Sequence, residues 1–367
     1  MKRILKHVGI LTFSNTVNYG ASLQACALRR AVESLGCDCE ILNYSNRELD
    51  DRELGTHFSL SPSGAARYFL RRGFERRRVA AFSRFAETNL NLTSKLDWAA
   101  LIDEAKTLDC ILIGSDQVFN PRVNGHDPVF LGAGIADVAR VASYAASLGD
   151  ATAEAITACD EGAAERLATF SGLSVREPSS MEVLRSMGLE PVFMPDPTLL
   201  LSCDDWLELA AGEGLDSIPE EYVLLYTLNS ERKLLDRALE VAGRLGIPVV
   251  CLHYNTKDFP GVLNVRDVGP GVFLELVRRA AFVCTDSFHG ACFSLNFNKQ
   301  FVVKTSESAV QSNVRITDLL ARYGIEDCLY ITGEPLVRNA DYDGRANQTL
   351  ACDRADALSF IAECIGL

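Results

Sequence analysis

Short apolar runs alternate with amphipathic stretches along most of the chain, and each run empties into a polar loop. Val8 to Phe13 is nearly continuous in apolar residues, as a strand covered on both faces would be. The polar loop Ser14 to Tyr19 follows. Gly20 then opens a helical pattern in which Leu23, Ala27, Ala31 and Leu35 recur at four-residue spacing, and Gly36 suits its stop. Glu40 to Tyr44 reads as a second strand, which completes a βαβ unit. Cys110–Ile113, Val141–Ala146 and Leu173–Val175 are further short strands. They run into Gly114-Ser115-Asp116-Gln117, Ser147-Leu148-Gly149 and Arg176-Glu177-Pro178. In a parallel sheet those loops share one rim.

Ala210 to Pro219, with its glycines, acids and proline, is the expected domain boundary. Beyond it the alternation restarts: strand Tyr222–Leu228, helix Glu231–Leu245, strand Ile247–Leu252, helix Gly271–Ala280 and strand Phe301–Lys304. A polar tail, Arg338–Gln348, precedes a final helix at Asp353–Cys364. Strands alternating with helices in two halves predict an α/β protein of two facing doubly wound, Rossmann-like domains. The expected domains are 1–210 and 220–367, the second including the C-terminal helix.

The stretch Ala281 to Phe297 joins both patterns. Its apolar start, Ala281–Cys284, has the length of a buried strand, and Thr285-Asp286-Ser287 favours a turn and a helix N-cap. Ala291, Cys292, Leu295 and Phe297 then fall on one side of a helix. His289 sits between the halves, beside a glycine that permits close approach. Such a loop opens onto the carboxyl edge of a parallel sheet, where α/β proteins place ligands. A capped helix with a half-buried histidine is the plainer account.

Composition narrows the field. At 367 residues, 48% hydrophobic and 23% charged, the chain is of globular type and long enough for two cores. A net charge of −13 argues against a nucleic-acid partner. No apolar run is long enough to span a membrane, and the opening MKRILKHVGILTF reads as a first strand rather than a signal peptide. The twelve cysteines are scattered without a C-x-x-C, so no metal centre or other cofactor is expected. Free buried thiols suit a reducing cytoplasm. The first turn lacks G-x-G-x-x-G, so NAD is not indicated.

Arg67 to Phe85 is basic and amphipathic, its arginines alternating with Leu70, Phe74, Phe82 and Phe85. It reads first as a solvated helix packed by its apolar face. The sharper alternative is a dock for an anionic, lipid-linked partner.

The segments NYGASLQACAL, ILIGSDQVFNP, SYAASLG, SVRE, PDPTLLL and TDSFHGACFSLNF occur in this order. Together they resemble the polysaccharide pyruvyl transferase family, in the branch with an N-Y-G-A opening, from about Val8 to about Gly324. The resemblance implies a GT-B-like fold and transfer of a pyruvyl group from phosphoenolpyruvate to a sugar or polysaccharide precursor, forming a pyruvate ketal. It also matches Arg176 to the family's S-x-R-E arginine and His289 to its histidine. Phosphoenolpyruvate carries a phosphate and a carboxylate, which arginine's planar fork binds well. A histidine, with an ordinary pKa of about 6.5, serves as acid or base near neutrality.

One departure stands out. Many members carry arginine two residues before the histidine, where this chain has Ser287. Arg315 or Lys304 is the candidate substitute. Asp116, at a strand end, is placed to orient or deprotonate an acceptor hydroxyl, or simply to cap the next helix. Asn18 and Gly20 shape the cleft, and Asp196 before Pro197 reads as a turn residue. His7, His57 and His126 have no partner motif, and His253 is a weak second candidate. Two other readings stay open: a glycosyltransferase using a nucleotide sugar, and a catalytically idle sugar- or anion-binding protein.

Overall fold

A computed structural model of the chain describes residues 5–14, 16–46, 48, 62–210, 215–229, 232–254, 257–305, 310–330 and 340–367, with the backbone alone for 62–72 and 310–313. His57, Arg338 and residues 211–214 of the expected linker lie outside the described residues. The chain divides into two compact units. One comprises Met1–Gly55, Ala86–Leu201 and Ala351–Leu367; the other comprises Thr56–Phe85 and Ser202–Leu350.

The first unit is built on six parallel strands: β1 (His7–Leu11), β2 (Asp38–Ile41), β3 (Cys110–Ile113), β4 (Val141–Ala146), β5 (Leu173–Val175) and β6 (Val192–Phe193). Their order is β2-β1-β3-β4-β5-β6. Every residue of β3 and β4 is buried, as strands covered on both faces require, and the one serine among them, Ser143, donates its hydroxyl to the Ser174 carbonyl at 2.9 Å. The second strand lies earlier than expected, at Asp38–Ile41, and its first residue is exposed. Pairing of Val8 with Cys110 and of Leu11 with Ile113 brings the carboxyl ends of β1 and β3 level. With β2 on one side of β1 and β3 on the other, the strand order reverses there, which is where such sheets open a crevice.

The second unit holds five parallel strands: β7 (Val223–Tyr226), β8 (Val249–Leu252), β9 (Leu263–Val265), β10 (Phe282–Thr285) and β11 (Phe301–Val303). They run β11-β10-β7-β8-β9, so the reversal falls between β7 and β10. Thr285 pairs with Tyr226 at their carboxyl ends. The short strand β9 and the helix Val310–Tyr323 were not evident from the apolar pattern. Both sheets are doubly wound, which establishes the α/β class.

The expected boundary at 210–220 differs from this division in two places. The helix Asn347–Ile365 contributes residues 351–367 to the first unit, not to the second. Arg140 Nε and Ser171 Oγ donate to the Cys364 carbonyl at 2.5 and 3.0 Å, and Arg354 donates to the carbonyls of Leu199 and Leu201. These bonds use the carbonyls that a helix or strand end leaves over. The other difference is the basic stretch, whose residues 56–85 belong to the second unit.

Candidate active site

At the reversal point of the second sheet, β10 passes through Asp286 and Ser287 into the helix Phe288–Asn296. Ser287 caps that helix: its side chain accepts from the Gly290 backbone N–H at 3.3 Å, and its own N–H donates to Thr285 Oγ1 at 3.1 Å. Gly290 is required here, because a Cβ would collide with Thr285 Oγ1 and crowd the Tyr226 ring. Asp286 reaches across the crevice. It accepts from Thr227 Oγ1 at 3.0 Å, from the Leu228 N–H at 2.7 Å and from the Asn229 N–H at 3.0 Å. One carboxylate thus fixes the loop after β7 against the loop after β10.

His289 stands in the first turn of this helix, half-buried, its ring edge-on to Phe288 with centroids 5.3 Å apart. The guanidinium of Arg315, from the helix Val310–Tyr323, lies 5.7 Å from the centroid of the same Phe288 ring. Lys304 follows β11 directly; its N–H bonds the Thr285 carbonyl at 2.8 Å and its buried ammonium bonds the Thr305 carbonyl at 3.2 Å. Behind the cap, Tyr226 hydrogen-bonds both Tyr254 and Ser287, and burial pushes its hydroxyl up to about 12. A helix N-terminus, a lysine at the neighbouring strand end and an arginine from the helix Val310–Tyr323 make this rim favourable to an anion.

Further along, His253 ends β8. Its Nε2 lies 2.9 Å from Asn264 Oδ1, which also accepts from the Phe259 N–H at 2.8 Å. Asn264 Nδ2 donates to the carbonyls of Phe259 and Val262, so the amide orientation is set and Nε2 must be the protonated nitrogen. Burial, together with the Arg266 charge and against the Asn264 bond, lowers the pKa of this histidine.

The rim of the first sheet is a buried polar network. Gln24 Nε2 donates to Thr12 Oγ1 at 2.9 Å, Thr12 Oγ1 to the Ser115 carbonyl at 3.2 Å, and the Ser115 N–H to Gln24 Oε1 at 3.2 Å. Asn18 caps the helix Tyr19–Ser34 by accepting from the Ala21 N–H at 3.3 Å, and Gly20 is buried in its first turn. Gly114 is irreplaceable at φ +127°, where a Cβ would strike the Tyr144 carbonyl oxygen. Asp116 follows in the left-handed region at φ +66°, which aspartate tolerates better than most residues. Its carbonyl accepts from the Ser147 N–H at 2.9 Å, and its partly exposed carboxylate from the Gln117 N–H at 2.9 Å.

Arg176 lies beneath that surface, its side chain 2% exposed. Nε donates to Glu177 Oε1 at 2.9 Å, Nη1 to Asp196 Oδ2 at 2.5 Å, and Nη2 stands 4.0 Å from Asp116 Oδ1. Burial alone would lower the guanidinium's pKa, but Glu177, Asp196 and Asp116 outweigh it and the net shift is upward. Glu177 also accepts from the hydroxyls of Ser147 and Ser180, and Asp196 from the N–H and hydroxyl of Thr198. The expectation that Arg176 presents its charge to a donor is therefore revised: one buried cation faces three carboxylates, and its fork is directed into the protein.

The structure thus groups the candidates by sheet. Ser287, His289, Lys304 and Arg315 gather on the second unit's rim, and Asn18, Gly20, Asp116 and Arg176 on the first unit's. Sequence reasoning missed Asp286 as a strut, Glu177 as the hub of the Arg176 cluster, and the His253–Asn264 pair. Asp196 was legible as a turn residue but not as the partner of Arg176. Among the described residues, no three histidine, cysteine, aspartate or glutamate side chains are grouped to hold a metal ion.

A comparison with curated protein sequences finds no match. Among solved structures, the chain is similar to the UDP-GlcNAc 2-epimerase from Methanocaldococcus jannaschii, at 13% identity over 96% of this chain and 93% of that one, with a TM-score of 0.49. It is similar to the UDP-N-acetylglucosamine 2-epimerase from Rickettsia bellii, at 8% identity over 99% and 97% with a TM-score of 0.49. The Streptomyces sp. SF2575 glycosyltransferase SsfS6 gives 14% identity over 97% and 98% with a TM-score of 0.43. The family model for polysaccharide pyruvyl transferase matches residues 18–308, a span that contains Asn18, Asp116, Arg176, Ser287 and His289. The chain belongs to the polysaccharide pyruvyl transferase family.

Proposed function

We propose that the protein transfers a pyruvyl group from phosphoenolpyruvate to a sugar or polysaccharide precursor, forming a pyruvate ketal. The observation that carries this reading is the setting of His289 in the first turn of a capped helix, with Arg315 over the ring of its neighbour Phe288 and Lys304 bonded through its N–H to the Thr285 carbonyl at the end of the preceding strand. Phosphoenolpyruvate brings two anionic groups. Helix N–H groups, an ammonium and a guanidinium meet both without a metal.

In this account His289 delivers a proton to the methylene carbon of phosphoenolpyruvate, leaving a cation at C2. An acceptor hydroxyl adds to C2 and gives up its proton. The bond from C2 to the phosphate oxygen then breaks, phosphate departs with the bonding pair, and a second hydroxyl of the same sugar adds with loss of its proton. One proton ends on the new methyl group and the other on phosphate or solvent, so the sum is ketal plus inorganic phosphate. Asp116 is the candidate to accept a hydroxyl proton, being the partly exposed carboxylate of its rim. Arg176 acts beneath it as a positioning residue.

Ser287 replaces the arginine common in this family, and its capping bond accounts for the serine. The missing cation is supplied in our reading by Arg315, stacked over Phe288, and by Lys304. A thermal-shift comparison of phosphoenolpyruvate with UDP-, GDP- and CMP-sugars tests the donor. Phosphoenolpyruvate should raise the melting temperature and the nucleotide sugars should not. Stabilisation by a nucleotide sugar alone would instead favour a glycosyltransferase, and no response to any of them an idle binding protein.

A further inference from the structure

Three strands of the second sheet end level with one another, and polar groups link their ends in a row. Tyr226 closes β7 and pairs in register with Leu252 of β8 and Thr285 of β10. Its hydroxyl bonds Ser287, just beyond β10, and Tyr254, just beyond β8. Over the Tyr254 ring lies the guanidinium of Arg78, 4.7 Å from the centroid, carried there by the helix Pro62–Asn89. The cations around it are neutralised: Arg77 Nε pairs with Asp267 at 2.5 Å, and Arg266 pairs with Asp258. Arg78 is not. It is partly buried, its Nε is shut off from solvent without a hydrogen-bond partner, and no carboxylate pairs with it among the described residues. Water withdrawn from a charge costs free energy that a tyrosine face returns only in part. A cation left in that state at the rim of a candidate active site points to a ligand that completes it.

We propose that Arg78 is a specificity residue for the acceptor, binding an anionic group, phosphate or carboxylate, on the sugar whose hydroxyls react beside His289. The inference rests on the sugar acceptor and the His289 centre of the proposed function. Spacing assigns Arg78 to the acceptor rather than to the donor. The ends of β8 and β10 stand two strand spacings apart, roughly 10 Å. That exceeds the span of phosphoenolpyruvate and suits one hexose with a substituent at each end. Arginine fits either oxyanion, because its terminal nitrogens bond two oxygens at once, and Tyr254 positions it for that. On a chain of net charge −13, an acceptor of the same sign needs such a cation to bind.

The test is calorimetric titration of sugars into the whole chain without phosphoenolpyruvate, in about 0.05 M and about 0.5 M salt. The probes are the 1-phosphates, the uronates and the methyl glycosides of glucose, galactose and mannose. At least one anionic sugar should bind roughly tenfold or more tightly than its methyl glycoside, and the gap should narrow at the higher salt. Whether that sugar is a 1-phosphate or a uronate names the source of the charge. Arg78→Gln should weaken its binding roughly ten- to a hundredfold, and Arg78→Lys should recover part of the loss. Thermal melting shows whether each variant keeps its fold; if Arg78→Gln does not, Arg78→Lys and the wild-type preference decide. No preference for an anionic sugar in the wild type, or the same preference in a folded Arg78→Gln, would overturn the proposal. With no donor present, the result is separate from pyruvyl transfer. An Arg78-dependent preference in a chain that leaves phosphoenolpyruvate untouched would remove that donor and keep this subsite.

Discussion

Asp286 Oδ1 holds the Leu228 backbone N–H at 2.7 Å, so the residue before the helix cap of one strand fixes the loop of the strand beside it. With the bonds to Asn229 N–H and Thr227 Oγ1, it keeps the crevice between β7 and β10 at a set width. Asp286→Ala should lower stability by about 1–3 kcal/mol, the range for hydrogen bonds to a charged acceptor, and depress turnover more than substrate binding. Urea unfolding at neutral pH checks the first part. A variant with the wild-type midpoint would show the strut to be idle.

Arg176 is a residue of the fold before it is a residue of the reaction. Removing it leaves Glu177 and Asp196 buried without their cation, so Arg176→Met should cost about 3–5 kcal/mol, the usual penalty for breaking a buried ion pair. Denaturant titration measures this. A fully stable variant with only weakened donor affinity would restore the expectation drawn from the sequence, that Arg176 holds the donor.

Arg315 takes the donor-binding part in our reading. Arg315→Gln should weaken phosphoenolpyruvate binding ten- to a hundredfold, the equivalent of about 1.5–3 kcal/mol for one charge-assisted contact, with the fold intact. Calorimetric titration of phosphoenolpyruvate into the variant decides it. An unchanged affinity would leave the site without its expected cation.

His253 gives a pH dependence of definite sign. Its folded-state pKa lies below the ordinary histidine value because the buried ring resists charging. The unfolded chain therefore binds the extra proton first. Stability from this residue is complete above the unfolded pKa of about 6.5 and is lost as pH falls from there toward the folded value, by up to about 1.4 kcal/mol per pH unit. Stability measured from pH 7.5 to 5 should fall more steeply for the wild type than for His253→Gln. Parallel curves would contradict this.

The strands and the loops that end them were readable because a sheet covered on both faces needs largely apolar runs, as Cys110–Ile113 supplies throughout and Val141–Ala146 supplies apart from Ser143. The cap of His289's helix was readable for a similar reason, since Thr285-Asp286-Ser287 is turn and cap chemistry on its own. What failed to show was anything set by pairing across sequence. Arg176 meets Asp196 and Asp116 only once β3, β4, β5 and β6 lie side by side, and no local pattern records that. Strand β9 hid because three partly exposed residues at a sheet edge carry little apolar signal. The final helix looked like part of the second half because it follows it in sequence, whereas its anchors, Arg140 and Ser171, lie over a hundred and ninety positions earlier.

The central claim is that phosphoenolpyruvate is the donor and His289 its acid. The direct measurement is inorganic phosphate released from phosphoenolpyruvate in the presence of hexose glycosides with paired free hydroxyls, alongside mass spectrometry of the sugar. The account predicts phosphate and pyruvate ketal in equal amounts, with kcat lowered by on the order of 10²–10⁴ in His289→Gln, because glutamine can bind an anion but cannot deliver a proton. Phosphate release at the wild-type rate in His289→Gln, or sugar transfer from a nucleotide sugar with phosphoenolpyruvate left untouched, would contradict it.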